Sequence, residues 1–238
     1  MSSIALNPTT SLERITVLVD ANVFYSNDQR NILMTFGVEG VIRLRWTDEI
    51  EAEWVKNLVR NNPGVLREKI ERTCQLMRDA ISDYDVVGYA GLTAATGHTD
   101  AKDRHVAAAA IACKPSTLIT WNIKDFDKPT LSNEGVSVET PDHLLCRVFD
   151  GNPTLVHAAA EKAYGFVRKN GGKPSWPDYL DILATRGAPS SLKEFAKRLR
   201  AFIPEDVPEQ ISTIERDTDL VEVEEVVEPP ASGPRGGK

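Results

Sequence analysis

Residues 15–22 read ITVLVDAN. Five consecutive apolar or β-branched side chains without a charge suit a strand buried on both faces. The run stops at Asp20-Ala21-Asn22. In open α/β sheets, ligands bind at the carboxyl ends of the strands, so an acid directly behind a buried strand is the first candidate for chemistry. Asp and Asn also favour turns, and Asp20 alone divides evenly between a turn cap and a functional acid.

Working outward, a helical pattern covers residues 29–37 and VIRLRW at 41–46 reads as a second strand. Thr47 and Asp48 are helix-start residues. Residues 49–60 follow, with Ile50, Trp54, Val55, Leu58 and Val59 at helical spacing. Asn61-Asn62-Pro63-Gly64 is a break. Residues 65–82 form another helical pattern, 85–89 a short strand, 91–99 a loop, and 101–113 a strongly helical segment. TLITW at 117–121 is a third strand, 136–139 a fourth, and Pro141 opens a helix to Phe149. Strands alternating with helices predict a parallel sheet with helices on its faces, a Rossmann-like domain over residues 15–150. Residues 1–14 are expected to be a flexible lead-in. Residues 151–203 read as a helical C-terminal extension, broken at 171–174 and 187–189, with Ser190-Ser191 capping its last helix. Residues 204–238 form an acidic tail expected to be disordered.

The chain has 238 residues, 41% of them hydrophobic, which suits one domain with a core and a smaller appendage. No apolar run is long enough for a membrane span. The N-terminal residues lack the charged and apolar regions of a signal peptide. Cys74, Cys113 and Cys146 are odd in number and far apart, which fits free thiols and a cytoplasmic location. The net charge of −7 is carried by residues 204–238, with ten acidic and three basic side chains, so the body balances to zero. A neutral body leaves room for the local positive charge that a phosphate backbone requires.

Four separated segments place an acid near one end of such a fold: Asp20, Glu53 after the second strand, Asp103 before TLITW, and Asp125 after it. Asn122 also follows TLITW. Hard divalent cations such as Mg²⁺ take oxygen ligands, only a few of them carboxylates. Acids clustered without a cation would repel one another and raise one another's pKa. Taken singly, Glu53 reads as a solvated helix residue, Asp100 as an N-cap and Asp125 as a loop acid, while Asp103 divides evenly between a first-turn acid favoured by the helix dipole and a functional acid. The case rests on the set. No phosphate-binding GxxxxGK[ST] loop, GxGxxG fingerprint, HExxH or GxSxG motif occurs. His98, His105, His143 and His157 show no metal-ligand spacing, and Trp46, Trp54 and Trp121 read as core.

VLVDANV at 17–23, DEIEAEWVKNL at 48–58, DAKDRHVAAAAIA at 100–112 and LITWNIKDF at 118–126 together resemble the PIN-domain ribonucleases, and among them the VapC-type toxins of toxin–antitoxin pairs. The resemblance frames residues 15–145. It implies a Mg²⁺- or Mn²⁺-dependent endoribonuclease in which Asp20, Glu53 and Asp103 match the family's acids. Either Asn122 or Asp125 stands at the fourth acidic position. Asn22 matches the polar residue that positions the first acid, and Asp100 is an accessory ligand or a cap. Arg104 and Lys124 are the nearest basic candidates for the RNA substrate. An antitoxin partner and a homodimer are expected from the resemblance alone. The alternatives are a PIN-like module that binds RNA or protein without cutting, and a nuclease of routine RNA maturation.

Overall fold

The computed structural model describes residues 14–169 and 174–204. The expected lead-in and acidic tail therefore lie outside the described residues, apart from their innermost positions. The chain is α/β, with a four-stranded parallel sheet flanked by helices. The strands are β1 (Thr16–Val19), β2 (Arg43–Arg45), β3 (Thr117–Ile119) and β4 (Ser137–Glu139). Their order is β2-β1-β3-β4, all pairs parallel. Before β3 lie α1 (Ala21–Phe24), α2 (Asn27–Val38), α3 (Asp48–Asn61), α4 (Arg67–Ala80) and α5 (Arg104–Cys113). After it come α6 (Lys128–Asn133), α7 (Pro141–Gly151), α8 (Pro153–Lys169), α9 (Trp176–Thr185) and α10 (Lys193–Ala201). No helix among the described residues is long and apolar enough to cross a membrane.

The apolar strands behave as their composition demands. Val17, Leu18, Val19, Leu118 and Ile119 are fully buried, because helices cover both faces of a parallel sheet. The central pair β1–β3 sets the geometry of everything that follows. Val19 lies opposite Ile119, and the backbone N–H of Asp20 donates to the Ile119 carbonyl at 3.1 Å. Asp20 and Thr120 therefore emerge side by side at the carboxyl edge. On the outer side of β3, the Thr120 N–H donates to the Glu139 carbonyl, continuing the ladder to β4.

Several elements differ from the expectations. Residues 85–89 form no strand. Only Asp85 pairs with Trp46, where the Trp46 N–H meets the Tyr84 carbonyl and the Val86 N–H meets that of Trp46. Tyr84 stacks on the Trp46 ring at 4.4 Å, and this contact fixes the segment without a ladder. Val41 and Ile42 do not extend β2, because their N–H groups close the C-terminal turn of α2 onto the Phe36 carbonyl. The loop expected at 91–99 begins with a 3₁₀ helix, Ala90–Ala95, packed on α5. α5 begins three residues later than expected. Asp100 spends its carboxylate on the Lys102 N–H, and a turn replaces the first helical residues.

α8, α9 and α10 share one hydrophobic core with the sheet: Val156, Tyr179, Leu180 and Phe195 join the same cluster as Phe36 and Phe149. The Phe195 ring meets Phe36 edge-on at 6.0 Å and Phe149 at 6.4 Å. Ser190-Ser191 do not cap α10. Leu192 holds that position, and the orphan N–H groups of Glu194 and Phe195 donate to the Asp142 carboxylate of α7 at 3.1 and 2.9 Å. A charged cap borrowed from a neighbouring helix ties the extension to the sheet domain. Asp142→Ala is expected to cost about 1 kcal/mol and to lower the melting temperature by roughly 3 °C, measured by circular dichroism.

Candidate functional site

Asp20 sits at the N-cap of α1 and is 3% exposed. Its Oδ1 accepts from the Ala21 N–H at 2.7 Å. Its Oδ2 accepts from the Thr120 hydroxyl at 2.7 Å and from the Asn22 amide at 2.6 Å. The Asn22 amide also donates to Thr120 Oγ1 at 3.0 Å, and its oxygen accepts the Trp121 N–H at 3.1 Å. These bonds hold the carboxylate rigidly but do not neutralise it. Its pKa is pushed up from 3.8 to about 6, first by burial and then by the charges of Asp103 and Glu53, against the opposing pull of Thr120.

Asp103 occupies the N-cap position of α5 without making a capping bond. The expected division of labour, with Asp100 as cap and Asp103 in the first turn, is therefore corrected. The turn at 100–103 delivers Asp103 itself to the helix start, where it faces the acids. It is 6% exposed, and its Oδ2 is buried with no hydrogen-bond partner; the Lys102 ammonium is 3.9 Å away. Burial again leads in raising its pKa to about 6, and the charges of Asp125, Asp100 and Glu53 add to it, while Lys102 opposes. Two buried carboxylates with values near neutrality at one sheet edge are a recognised signature of a functional site.

The other acids sit around this pair. Of the glutamates in α3, Glu51 turns inward to Trp46 and Arg78. Glu53 is half-buried and contributes charge to both Asp20 and Asp103. Asp125 lies on the 3₁₀ turn Ile123–Asp125, with its Oδ2 3.5 Å from the Lys102 ammonium. Its backbone carbonyl accepts the Asp100 N–H at 2.8 Å, locking the two acidic loops together. The Asn122 side chain is exposed; its backbone N–H donates to Thr120 Oγ1 at 3.0 Å. Asp125, not Asn122, thus contributes to the charge at Asp103. Asp100 is exposed and contributes charge only.

Among the basic candidates, Arg104 is exposed, and its Nε donates to the Thr99 carbonyl at 3.3 Å. It lines a cavity of about 620 Å³ with Glu49, Thr93, Lys102 and His105. Lys124 is exposed on the turn after β3 and does not line that cavity.

Three residues of the site escaped the sequence reading. Thr120 is the fully buried hydroxyl that fixes Asp20, and only the β1–β3 register reveals it. Lys102 stands between Asp103 and Asp125 as a counter-charge, and its place inside DAKD was the available signal. His105 lies with its Nε2 3.4 Å from Glu53 Oε2 while its Nδ1 meets the Lys102 carbonyl at 2.9 Å. Burial opposes its protonation, but Glu53 and Glu49 outweigh that and raise its pKa.

No three His, Cys, Asp or Glu side chains among the described residues close into a ready-made metal cage. The donor set nevertheless fits a hard cation. Asp103 Oδ2 is a buried anionic oxygen without a hydrogen-bond partner, and the charges of Asp125, Asp100 and Glu53 raise its pKa together. Comparisons with protein-family models, with the curated proteins and with the solved structures find no match to this chain.

Proposed function

We propose that this chain is a PIN-like, Mg²⁺- or Mn²⁺-dependent endoribonuclease, with Asp20, Glu53, Asp103 and Asp125 around its reactive centre. The observation that carries the reading is the pair Asp20 and Asp103, buried at the carboxyl edge of the central strands with both pKa values near 6. Burying two carboxylates beside a single exposed ammonium is costly. A protein keeps such an arrangement where charge is to be met by a ligand, and a hard cation meets it with few carboxylates and several waters.

Asp20, Asp103 and Asp125 would hold the cation, with Glu53 beside them. When bound, such an ion acidifies water and stabilises charge on a phosphoryl oxygen. The chain's own groups do the rest. Thr120 and Asn22 fix the Asp20 carboxylate in one orientation, so no reorganisation is needed when charge develops. Glu53, half-exposed against His105, is placed to accept a proton from an attacking water. Arg104 and Lys102, at the rim cavity, meet the phosphate backbone. The antitoxin and the homodimer expected for a toxin of this class rest on the sequence resemblance.

A second reading, a PIN-like module that binds without cutting, draws support from the lack of a preformed cage. A titration with Mn²⁺ separates the two. The nuclease reading predicts binding that weakens at least tenfold in Asp103→Asn. A parent protein that binds no Mn²⁺ would favour the silent module.

A further inference from the structure

We infer that Gln29 is a positioning residue through which the C-terminal helices fix the surroundings of Asp20. The inference rests on the proposed reading of Asp20 as a site acid.

The path is continuous. Asn22 can support Asp20 in only one amide orientation, with its NH₂ toward Asp20 Oδ2 and Thr120 Oγ1. That orientation is decided by the Trp121 backbone N–H, which claims the amide oxygen at 3.1 Å. Trp121 is in turn held by its ring, whose indole N–H donates to Gln29 Oε1 at 2.8 Å. Gln29 is 3% exposed, and its NH₂ donates to the Ser190 carbonyl at 2.6 Å. Ser190 lies in the loop between α9 and α10. The adjacent Asp28, also buried, receives the Arg186 guanidinium of that loop at 2.8 Å.

Two neighbouring residues of the first turn of α2 thus engage one loop of the extension, and one of them passes the contact to the residue after Thr120. A buried amide with both ends committed cannot rotate without leaving a polar group unsatisfied. If the Ser190 carbonyl moved away, the Gln29 NH₂ would be buried without a partner, and the side chain would turn out and release the indole. Outer-shell partners of this kind change metal affinity or activity by about 10–100-fold when removed. The extension is on this account part of the site's scaffold.

The experiment uses the full chain with Gln29→Met, which removes both amide bonds at similar length, and Trp121→Phe, which removes the indole donor but keeps the backbone N–H. Arg186→Ala, on a half-exposed side chain, perturbs the loop from outside the path. In metal-free protein, hydrogen exchange of the Trp121 backbone amide, followed by NMR, reports its bond to Asn22 directly. Exchange is expected to speed up about tenfold in Gln29→Met and Trp121→Phe, and less in Arg186→Ala, with Mn²⁺ affinity falling about tenfold and RNA cleavage losing kcat more than KM. Parental exchange and parental Mn²⁺ affinity in variants that melt like the parent would overturn the inference. Should Gln29→Met fail to fold, Trp121→Phe decides alone. A parent that binds no Mn²⁺ would defeat the nuclease reading, and the exchange data would still judge the path.

Discussion

Asp20→Asn is expected to lose RNA cleavage by about a thousandfold while melting at a higher temperature than the parent above pH 6. The activity loss follows from removing the most buried anionic ligand, worth roughly 4 kcal/mol of transition-state charge stabilisation. The stability gain follows from the same burial. The Asp20 carboxyl rises from 3.8 to about 6 in the folded chain. At pH 7.5 the ionised form therefore costs the fold roughly 3 kcal/mol without a cation. Asn carries no charge and keeps an acceptor for the Ala21 N–H. It deprives both the Thr120 hydroxyl and the Asn22 amide of an acceptor, which returns about 2 kcal/mol. The net expectation is a rise of roughly 2–4 °C in metal-free buffer, read by thermal unfolding beside the cleavage assay. A variant that melts well below the parent would show that Asp20 is structural.

The second large effect is a dependence of cation stabilisation on pH. Asp20 and Asp103 both have folded-state values raised to about 6 from 3.8. Below pH 3.8 both states hold the protons and neither group costs anything. Between 3.8 and 6 the unfolded chain ionises first, so metal-free stability falls as pH rises. Above 6 the full penalty stands. A cation needs the deprotonated acids. Mg²⁺ or Mn²⁺ should therefore raise the melting temperature little at pH 5 and by several degrees at pH 7.5, through the ordinary linkage of ligand binding to folding. An equal shift at both pH values would place the cation away from these two acids.

The α/β alternation was legible because buried parallel strands write themselves as unbroken apolar runs, as ITVLV and TLITW do. The position of Asp20 was legible for the same reason, since the residue that ends a buried strand stands at the carboxyl edge, where its N–H meets the Ile119 carbonyl. The weaker expectations failed where a side chain from a distant segment replaced a local signal. Ser190-Ser191 look like a cap, but the Asp142 carboxylate on α7 reaches α10 first. Residues 85–89 look like a strand, but only Asp85 pairs, next to the Tyr84 ring stacked on Trp46. Asp100 looks like the α5 cap, but its carboxylate closes its own turn and Asp103 takes the place. Thr120 and Gln29 carry no local pattern at all. Their importance lies in register and in a hydrogen bond across 161 residues of chain, which spacing cannot encode. Which glutamate of α3 faces the acids was readable only in part, because Glu51 and Glu53 differ in direction rather than in type.

The central claim is that the buried acids at the β1–β3 edge cut RNA with a divalent cation. It is tested most directly by incubating total cellular RNA with the purified full chain in Mg²⁺, in EDTA, and with Asp20→Asn in Mg²⁺. Discrete fragments from the parent in Mg²⁺ alone are the predicted result, and their ends would name the target. Equal cleavage in EDTA or by Asp20→Asn would contradict it, as would intact RNA throughout from a protein that melts cooperatively.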